Sequence, residues 1–237
     1  MRFRDVALVI SIQNYGEESA IVKVFSRLHG IRKGFVKNIH SKKNIYQIGN
    51  FIELEFDYKK DDSLGNFFYA DLNKNYCGLL ILHRFRFVLL QCLLDLLDAV
   101  LLENAVFSEI FDTALHFCNI INDFNCANND LLASYIKIEL IILQKLGYGL
   151  DFSKCIATGK SENLIFISPK SACAVCAEAG MPYADKLLVL PQFLLTTVAK
   201  IQSQQLQDGI KLTSFFLAKF LNYNSPVAHR FNFFFKI

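Results

Sequence analysis

The sequence has no tryptophan, and it has only four prolines and two methionines among its 237 residues. It also lacks the GxSxG, Walker A, GxGxxG and HExxH motifs, which are signatures of hydrolases, P-loop nucleotidases, dinucleotide-binding enzymes and zinc peptidases. The five histidines are scattered along the chain. These absences favour a protein that works by binding, and they predict no enzyme activity.

A second absence concerns negative charge. Between Glu18 and Glu53 the chain carries no aspartate or glutamate. Gly30 stands where a tight turn would fold this stretch into a β-hairpin, whose positive surface suits a polyanion. A solvated hairpin whose cations only maintain solubility fits the same pattern. The cations of the stretch are Lys23, Arg27, Arg32, Lys33, Lys37, Lys42 and Lys43.

The positive charge is concentrated near the N-terminus. The formal net charge of the chain is only +3, although residues 1–60 alone contribute +5 from eleven Lys/Arg and six Asp/Glu. The hydrophobic content of 53% and the mean hydropathy of +0.29 are high, so the chain can bury a substantial core. This asymmetry predicts a basic N-terminal module followed by a nearly neutral body.

No membrane or secretory segment is predicted. Three of the first five residues are charged, and the apolar run over 6–12 is short and broken by Ser11. The longest apolar stretch, 79–102, is interrupted by His83, Arg84, Arg86, Gln91, Asp95 and Asp98, so it is expected to be a core helix. Seven cysteines, an odd number, indicate a reducing cytosol without a disulfide framework.

The first part of the chain predicts short β-strands. Apolar and charged residues alternate over 52–58, and over 6–12 one strand face is expected to carry Val6, Leu8, Ile10 and Ile12. The basic hairpin and a strand near Asn66 to Leu72 bring the number to five, separated by loops such as Lys59–Asp62. Five short strands favour a small closed barrel of the oligonucleotide-binding (OB) type, and an SH3-like barrel has a similar strand count.

From Cys77 onward apolar residues recur every three or four positions, which is typical of amphipathic helices. A helix is predicted from Leu131 to Leu146, and helical segments are predicted over 191–207 and 213–220. Between them, residues 147–183 are rich in small side chains and are expected to form an irregular insert.

Cys173 and Cys176 form a CxxC pair, the usual half of a structural zinc site. Cys155 stands eighteen residues before Cys173, but the position that would complete its own pair is Thr158. Three thiolates without a fourth ligand make a poor structural site, because such sites are normally closed and tetrahedral. We therefore expect no zinc and no other cofactor, and treat Cys155, Cys173 and Cys176 only as a weak, degenerate site.

Several motifs resemble the RecO family of DNA repair proteins, and they keep the family order from end to end. The internal ones are Leu146-Gly-Tyr-Gly-Leu-Asp-Phe, Cys155-x-x-Thr-Gly159, Ile167-Ser-Pro-Lys-Ser171 and Ala179-Gly-Met-Pro-Tyr183. The N-terminal ones are Asp5-Val-Ala-Leu-Val-Ile, Tyr15-Gly-Glu17, Val24-Phe-Ser-Arg-Leu-His-Gly30 and Gly34-Phe-Val-Lys37. At the C-terminus, Leu212-Thr-Ser-Phe-Phe-Leu and Pro226-x-x-x-Arg230 match as well.

The resemblance implies an α+β fold. An N-terminal OB-fold barrel would occupy residues 1–76, and an α-helical domain would occupy 77–237 with the small irregular, degenerate zinc-finger-like insert at 147–183. Many family members carry two CxxC pairs that bind zinc. Here those pairs would fall on Cys155 and Thr158 and on Cys176 and Ala179, so one sulfur of each survives and Cys173 is out of register.

The function implied by the resemblance is mediation of recombination in the RecF pathway, without enzyme activity. Such a protein binds single- and double-stranded DNA, anneals complementary strands, and acts with RecR and with the tail of the single-stranded-DNA-binding protein to load recombinase. The expected location is the bacterial cytoplasm, at the nucleoid. Phosphate contacts are predicted first for Arg32, Lys33 and Lys37, and then for Lys23, Arg27, Lys42 and Lys43. Tyr15 and Phe35 are candidates for stacking on bases; the alternative for both is a place in the barrel core, which is favoured for Phe35.

Two other functions fit the residues. One is a non-enzymatic protein-interaction scaffold with a basic OB-like barrel. The other is a redox or metal-dependent enzyme that uses the three cysteines, which would require bound metal. The acidic, apolar tail of the single-strand-binding protein would need an apolar groove rimmed by cations, for which the candidates are Arg84, Arg86, Lys137 and Lys145.

Overall fold

The computed structural model describes residues 2–58, 64–103, 105–196, 198 and 200–222. The predicted loop at Lys59–Asp62 and the motif at Pro226 and Arg230 lie outside these residues. The mixed α+β fold is confirmed, with β-structure at the N-terminus followed by helices. The chain divides into two compact units, Met1–Phe124 and Asn125–Ile237. The predicted domain limit between residues 76 and 77 stays a prediction.

The N-terminal strands close into a barrel in the order β1-β2-β3-β5-β4. β3 and β5 run parallel, and every other neighbouring pair is antiparallel. A closed five-stranded barrel of this order is of the OB type, as predicted. The strands are β1 (Arg2–Tyr15), β2 (Ser19–Ser26), β3 (Gly30–Lys37), β4 (Asn50–Asp57) and β5 (Leu64–Asn75).

Alternation along the strands fills the barrel. Every second side chain points inward, so β-branched and aromatic residues meet in one core. Gly34 is required there, because a Cβ atom at this position would lie 2.1 Å from the Phe67 ring. The main inward side chains are Val9, Val22, Val24, Val36, Ile52, Leu54, Phe56 and Phe67.

Two helices complete the first unit, α1 (Arg84–Val100) and α2 (Ser108–Ile121). The apolar stretch that contains α1 is a core helix, because Leu89, Leu93 and Leu96 are fully buried. Arg86 is buried too, and its guanidinium donates hydrogen bonds to the carbonyl groups of Ile121 (2.5 Å) and Asp123 (2.9 Å) at the end of α2. In the part of the chain that the structure describes, no helix is both long and apolar enough to cross a membrane.

The second unit contains α3 (Asn128–Lys145), β6 (Leu164–Ile167), β7 (Ala174–Cys176), the short α4 (Ala177–Gly180), β8 (Leu188–Val189) and α5 (Ser203–Leu221). The three strands form an antiparallel sheet in the order β7-β6-β8, so the insert has more regular structure than its small residues suggested. Among the described residues of the predicted segment 191–207, a 3₁₀ turn lies at Gln192–Leu194 and the α-helix begins at Ser203.

A carboxyl group is buried between α3 and α5. Glu139 is fully buried, and the Thr213 hydroxyl donates a 2.5 Å hydrogen bond to its Oε2 atom. Burial raises the pKa of Glu139 from 4.5 to about 7, although hydrogen bonds from Thr213 and Tyr135 oppose the shift. A carboxyl group in such a site is partly protonated near neutral pH.

Candidate nucleic-acid interface

Four rows of side chains cross β1, β2 and β3 on the outside of the barrel. The cross-strand rows are Leu8–Phe25–Ile31, Ser11–Lys23–Lys33, Gln13–Ile21–Phe35 and Tyr15–Ser19–Lys37. They face outward because their neighbours Val22, Val24 and Val36 point into the core. OB barrels commonly bind oligonucleotides on this strand 2–3 face, so the outer rows form the candidate interface.

At the turn of the hairpin, which we term the covered end (residues 23–33), the cations meet carboxylates from α1, α2 and the segment between them. Arg27 donates two hydrogen bonds of 2.8 Å, from Nε and one terminal nitrogen, to the two carboxylate oxygens of Asp112. These hydrogen bonds lower the pKa of Asp112 below its ordinary value. Lys33 lies 2.5 Å from Glu103. The next cation in the row, Lys23, pairs with Asp98 at the end of α1.

Backbone and aromatic contacts also close the covered end. Ile31 of β3 forms a parallel bridge with Glu103. Gly30 has a φ of +70°, and a Cβ atom on it would lie 2.0 Å from the carbonyl oxygen of Ala105. The Phe25 ring is fully buried and lies edge-on against Phe111 of α2, with 5.4 Å between the ring centroids. The Leu8–Phe25–Ile31 row is therefore covered by protein, whereas the neighbouring Arg27 and Lys33 side chains stay partly exposed, at 43% and 37%.

The turn itself is held by Asp5, a role that no pattern in the sequence had indicated. Its carboxylate accepts hydrogen bonds from the backbone N–H groups of Val6 (2.8 Å) and Leu28 (2.7 Å) and from the Ser26 hydroxyl. His29 Nδ1 lies 3.1 Å from the same carboxylate. Asp5 is 8% exposed, so these bonds fix the turn in a largely dry environment.

The opposite end of the hairpin, which we term the open end (residues 15–21 and 35–43), carries Lys37, Lys42 and Lys43. Among the described residues no carboxylate lies within ion-pairing distance of these lysines. Tyr15 is 63% exposed, and its ring lies edge-on to Phe35 with 5.8 Å between centroids. A positive edge beside an exposed aromatic ring can neutralise phosphates and stack on a base.

The open end has a defined backbone conformation. After β3, a short 3₁₀-helix (Ile39–Lys42) lies against the turn between β1 and β2. The Ile39 N–H group donates a 2.9 Å hydrogen bond to the carbonyl oxygen of Glu18. His40 Nε2 lies 2.7 Å from the carbonyl oxygen of Glu17. The side chains of Glu17 and Glu18 are exposed on this turn, so the open end also includes negative charge.

Arg32 lies on the other side of the strand. Its neighbour in the β-ladder is Val24, a core residue, and its guanidinium stands 3.9 Å from the centroid of the Tyr58 ring. Partial burial lowers the pKa of Arg32. The three cations predicted to contact phosphate first are thus separated: Arg32 points inward, Lys33 pairs with Glu103, and Lys37 stands at the open end. Which of the predicted cations contact DNA stays a prediction.

The cysteines of the insert are not arranged as a set of zinc ligands. Cys155 and Cys176 are buried around the Thr158 hydroxyl, which lies 3.5 Å from the Cys176 sulfur. Cys173 points elsewhere, toward the carbonyl oxygen of Ser171 at 3.3 Å. Two thiols and a hydroxyl do not supply the four ligands that structural zinc requires. Among the described residues no group of three or more His, Cys, Asp or Glu side chains could hold a metal ion.

The Cys155 thiol nevertheless has an unusual environment. Burial alone would raise its pKa, but hydrogen bonds from the Thr158 hydroxyl and from the N–H groups of Cys176, Thr158 and Ala157 lower it to about 6. Such hydrogen bonds favour the thiolate form of a cysteine over the thiol. Arg86, considered above as a rim cation, is instead buried at the end of α2.

Comparisons with known proteins agree with the residues and the fold. The family model for the N-terminal part of recombination protein O matches residues 1–76, and the model for its C-terminal part matches residues 83–223. The DNA repair protein RecO of Bartonella quintana is 36% identical over 222 residues, which is 92% of this chain and 89% of the relative.

Two further relatives carry the same name. RecO of Orientia tsutsugamushi (strain Ikeda) is 34% identical over 224 residues, covering 93% of this chain and 91% of the relative. RecO of Rickettsia akari is 32% identical over 226 residues, covering 95% and 93% respectively. Both family models and these full-length similarities lead to one conclusion: the chain belongs to the RecO family of DNA repair and recombination proteins.

Proposed function

We propose that this protein is a recombination mediator without enzyme activity. It binds single- and double-stranded DNA, anneals complementary strands, and helps to load recombinase on DNA coated with the single-stranded-DNA-binding protein. The observation that carries the proposal is the open end, where Lys37 shares a cross-strand row with the exposed Tyr15 on the outer face of an OB barrel, and Lys42 and Lys43 follow at the end of the 3₁₀-helix.

Annealing needs no nucleophile and no acid–base pair. It needs a surface that neutralises the phosphates of two strands while their bases remain free to pair. Each phosphate contact releases counterions, so the binding constant for a single strand falls with salt with a slope of about −0.7 per contact. Three lysines at the open end therefore predict a slope of about −2.

The partners of the protein are those expected of a recombination mediator of this family. The protein acts with RecR and with the tail of the single-strand-binding protein, at the nucleoid in the cytoplasm, and uses no cofactor. An apolar groove of about 530 Å³ in the first unit suits an acidic, apolar tail, because Lys43 lies at its edge. The apolar side chains that line the groove are Ile12, Tyr46, Ile48, Phe87, Leu90 and Leu94.

The proposal is tested by annealing complementary strands that have been coated with the single-strand-binding protein. We expect the protein to accelerate annealing, and to bind an uncoated oligothymidine with a salt slope of about −2. A protein that binds no oligonucleotide at about 50 mM salt and does not accelerate annealing would instead be the interaction scaffold considered above.

A further inference from the structure

The cations of the covered end receive their negative partners from a distant part of the chain. The hairpin itself has no acidic residue between Glu18 and Glu53. Residues 98–112 supply three carboxylates, one for each outward cation: Asp98 for Lys23, Glu103 for Lys33, and Asp112 for Arg27. Lys23 and Lys33 are neighbours across β2 and β3, and Arg27 lies in the turn that joins these strands.

The carboxylates occupy positions that phosphate oxygens would need. Asp112 accepts two parallel hydrogen bonds of 2.8 Å from Arg27, which is the arrangement that arginine also forms with a phosphate group. The Lys23 side chain is only 17% exposed beside Asp98. A DNA backbone that contacted these cations would first have to displace their carboxylates. The exchange of one anion for another would therefore add little to the binding free energy.

A groove between the two ends is the place where these carboxylates would compete with phosphate groups for the cations. It has a volume of about 280 Å³ and is lined by Ser11, Gln13, Ile21, Lys23, Lys33 and Leu64. The groove continues from the open end toward Lys23 and Lys33, along the outer rows of β1, β2 and β3. The groove therefore joins Ile21 of the open end to Lys23 and Lys33, whose charges are neutralised by Asp98 and Glu103.

We propose that Asp98, Glu103 and Asp112 are internal counterions that confine bound DNA to the open end of the hairpin. They determine how many phosphates the barrel contacts, and therefore its affinity and its salt dependence. This role rests on the proposed function, because it presupposes that the outer face binds DNA. Removal of the carboxylates extends the phosphate path along the groove to Lys23 and Lys33, and it makes Arg27 available at the turn of the hairpin.

The test is the variant Asp98→Asn/Glu103→Gln/Asp112→Asn, which keeps side-chain size and removes the three negative charges. Binding of a fluorescent oligothymidine is measured from about 50 to 200 mM salt. Three additional contacts steepen the salt slope by about 2 units, from about −2 to about −4. The ratio of the variant's affinity to that of the wild type then falls roughly 18-fold across this fourfold salt range.

A matched control separates local contacts from net charge. The variant Glu53→Gln/Glu55→Gln/Asp71→Asn removes the same number of charges from the outer face of β4 and β5. Glu53 is also ion-paired, at 2.7 Å from Arg4, so the control likewise breaks a surface pair. We expect it to raise affinity modestly through the general field and to leave the number of contacts, and thus the slope, nearly unchanged.

The outcomes distinguish the two proposals. If the wild-type protein binds no oligonucleotide, the proposed function fails, and the counterion role fails with it. If the wild type binds and the covered-end variant has the slope of the control, only the counterion role fails. Should thermal melting show that the triple variant is unfolded, Asp112→Asn alone serves, because its pair is the most exposed. That single variant must steepen the slope by about 0.7 to support the inference.

Discussion

At the covered end of the β2–β3 hairpin, the Phe25 ring packs against Phe111 and the Arg27 guanidinium pairs with Asp112. At the open end, by contrast, the Tyr15 ring is 63% exposed, and Lys37 has no carboxylate partner among the described residues. Both ends thus carry an aromatic ring and cations on the outside of the barrel. The difference arises from residues 98–112, which supply the Phe111 ring and three carboxylates to the covered end. The role of a basic residue here is decided by segments far away in sequence.

The largest expected effect concerns the backbone at the covered end. Gly30→Ala should destabilise the protein by about 4 kcal/mol, because a left-handed φ of +70° disfavours alanine and the new Cβ would lie 2.0 Å from the Ala105 carbonyl oxygen. Urea unfolding measures this loss. Gly16, at the open end, has a φ of +67°, and a Cβ atom on it would meet no neighbouring atom within 4 Å. Gly16→Ala should cost only about 1 kcal/mol, and equal losses would show that the covered end is not closely packed.

A fall in pH weakens the ion pairs of the covered end without a mutation. Glu139 also changes its protonation with pH, so its contribution to the free energy of unfolding has to be separated from theirs. The lowered pKa of Asp112 means that its ion pair stabilises the fold above the ordinary carboxyl pKa and is lost as the pH falls through the lowered value. Glu139 acts in the opposite direction. Because its pKa is raised from 4.5 to about 7, its contribution to stability is complete below pH 4.5 and is lost as the pH rises through 7.

Between pH 5 and pH 8 the wild-type protein should therefore lose about 2.5 kcal/mol of unfolding free energy from Glu139. The variant Glu139→Gln, which keeps the acceptor for the Thr213 hydroxyl, should lose little over the same interval. Urea unfolding at the two pH values makes the comparison. A loss of equal size in the variant would assign the pH dependence to other groups, and the ion pairs of the covered end would then have to be reconsidered.

The two ends can also be compared directly by DNA binding. Lys37→Gln/Lys42→Gln/Lys43→Gln should lower the affinity for oligothymidine about 100-fold at about 0.1 M salt and reduce the salt slope by about 2. The matched variant removes two covered pairs without a change in net charge: Arg27→Gln/Asp112→Asn together with Lys33→Gln/Glu103→Gln. It should change the affinity less than about threefold, since surface ion pairs contribute little and no phosphate contact is lost. Equal losses at both ends would contradict the comparison.

The strands of the barrel could be predicted from the sequence because the alternation of apolar and polar residues is a local pattern. The alternation of Ile52, Leu54 and Phe56 with charged residues specifies a strand with one buried face, and β4 spans those residues. The helix predicted from Leu131 to Leu146 lies at Asn128–Lys145. The inward orientation of Arg32 could also have been predicted, because Arg32, Gly34 and Val36 are two residues apart and therefore lie on the same face of the strand.

The charge pairing could not be predicted in the same way. Arg27 and Asp112 are 85 positions apart in sequence, and no periodicity relates them. The spacing of Asp95 and Asp98 indicates a polar helix edge, whereas Asp98 is the partner of Lys23. The packing of α1 and α2 against the barrel determines which cations keep a free charge, and that packing depends on long-range contacts that a single sequence does not specify.

The smallest expected effect tests the aromatic side of the comparison. Tyr15→Ala should weaken binding of single-stranded DNA about tenfold, because stacking contributes about 1–3 kcal/mol per base. The salt slope should stay the same, since a stacked base releases no counterions. Double-stranded DNA, whose bases are already stacked on each other, should bind the variant and the wild type equally, and Tyr15→Phe should retain full affinity. A parallel loss for both forms of DNA would mean that Tyr15 supports the open end structurally, and base stacking would then have to be assigned to another residue.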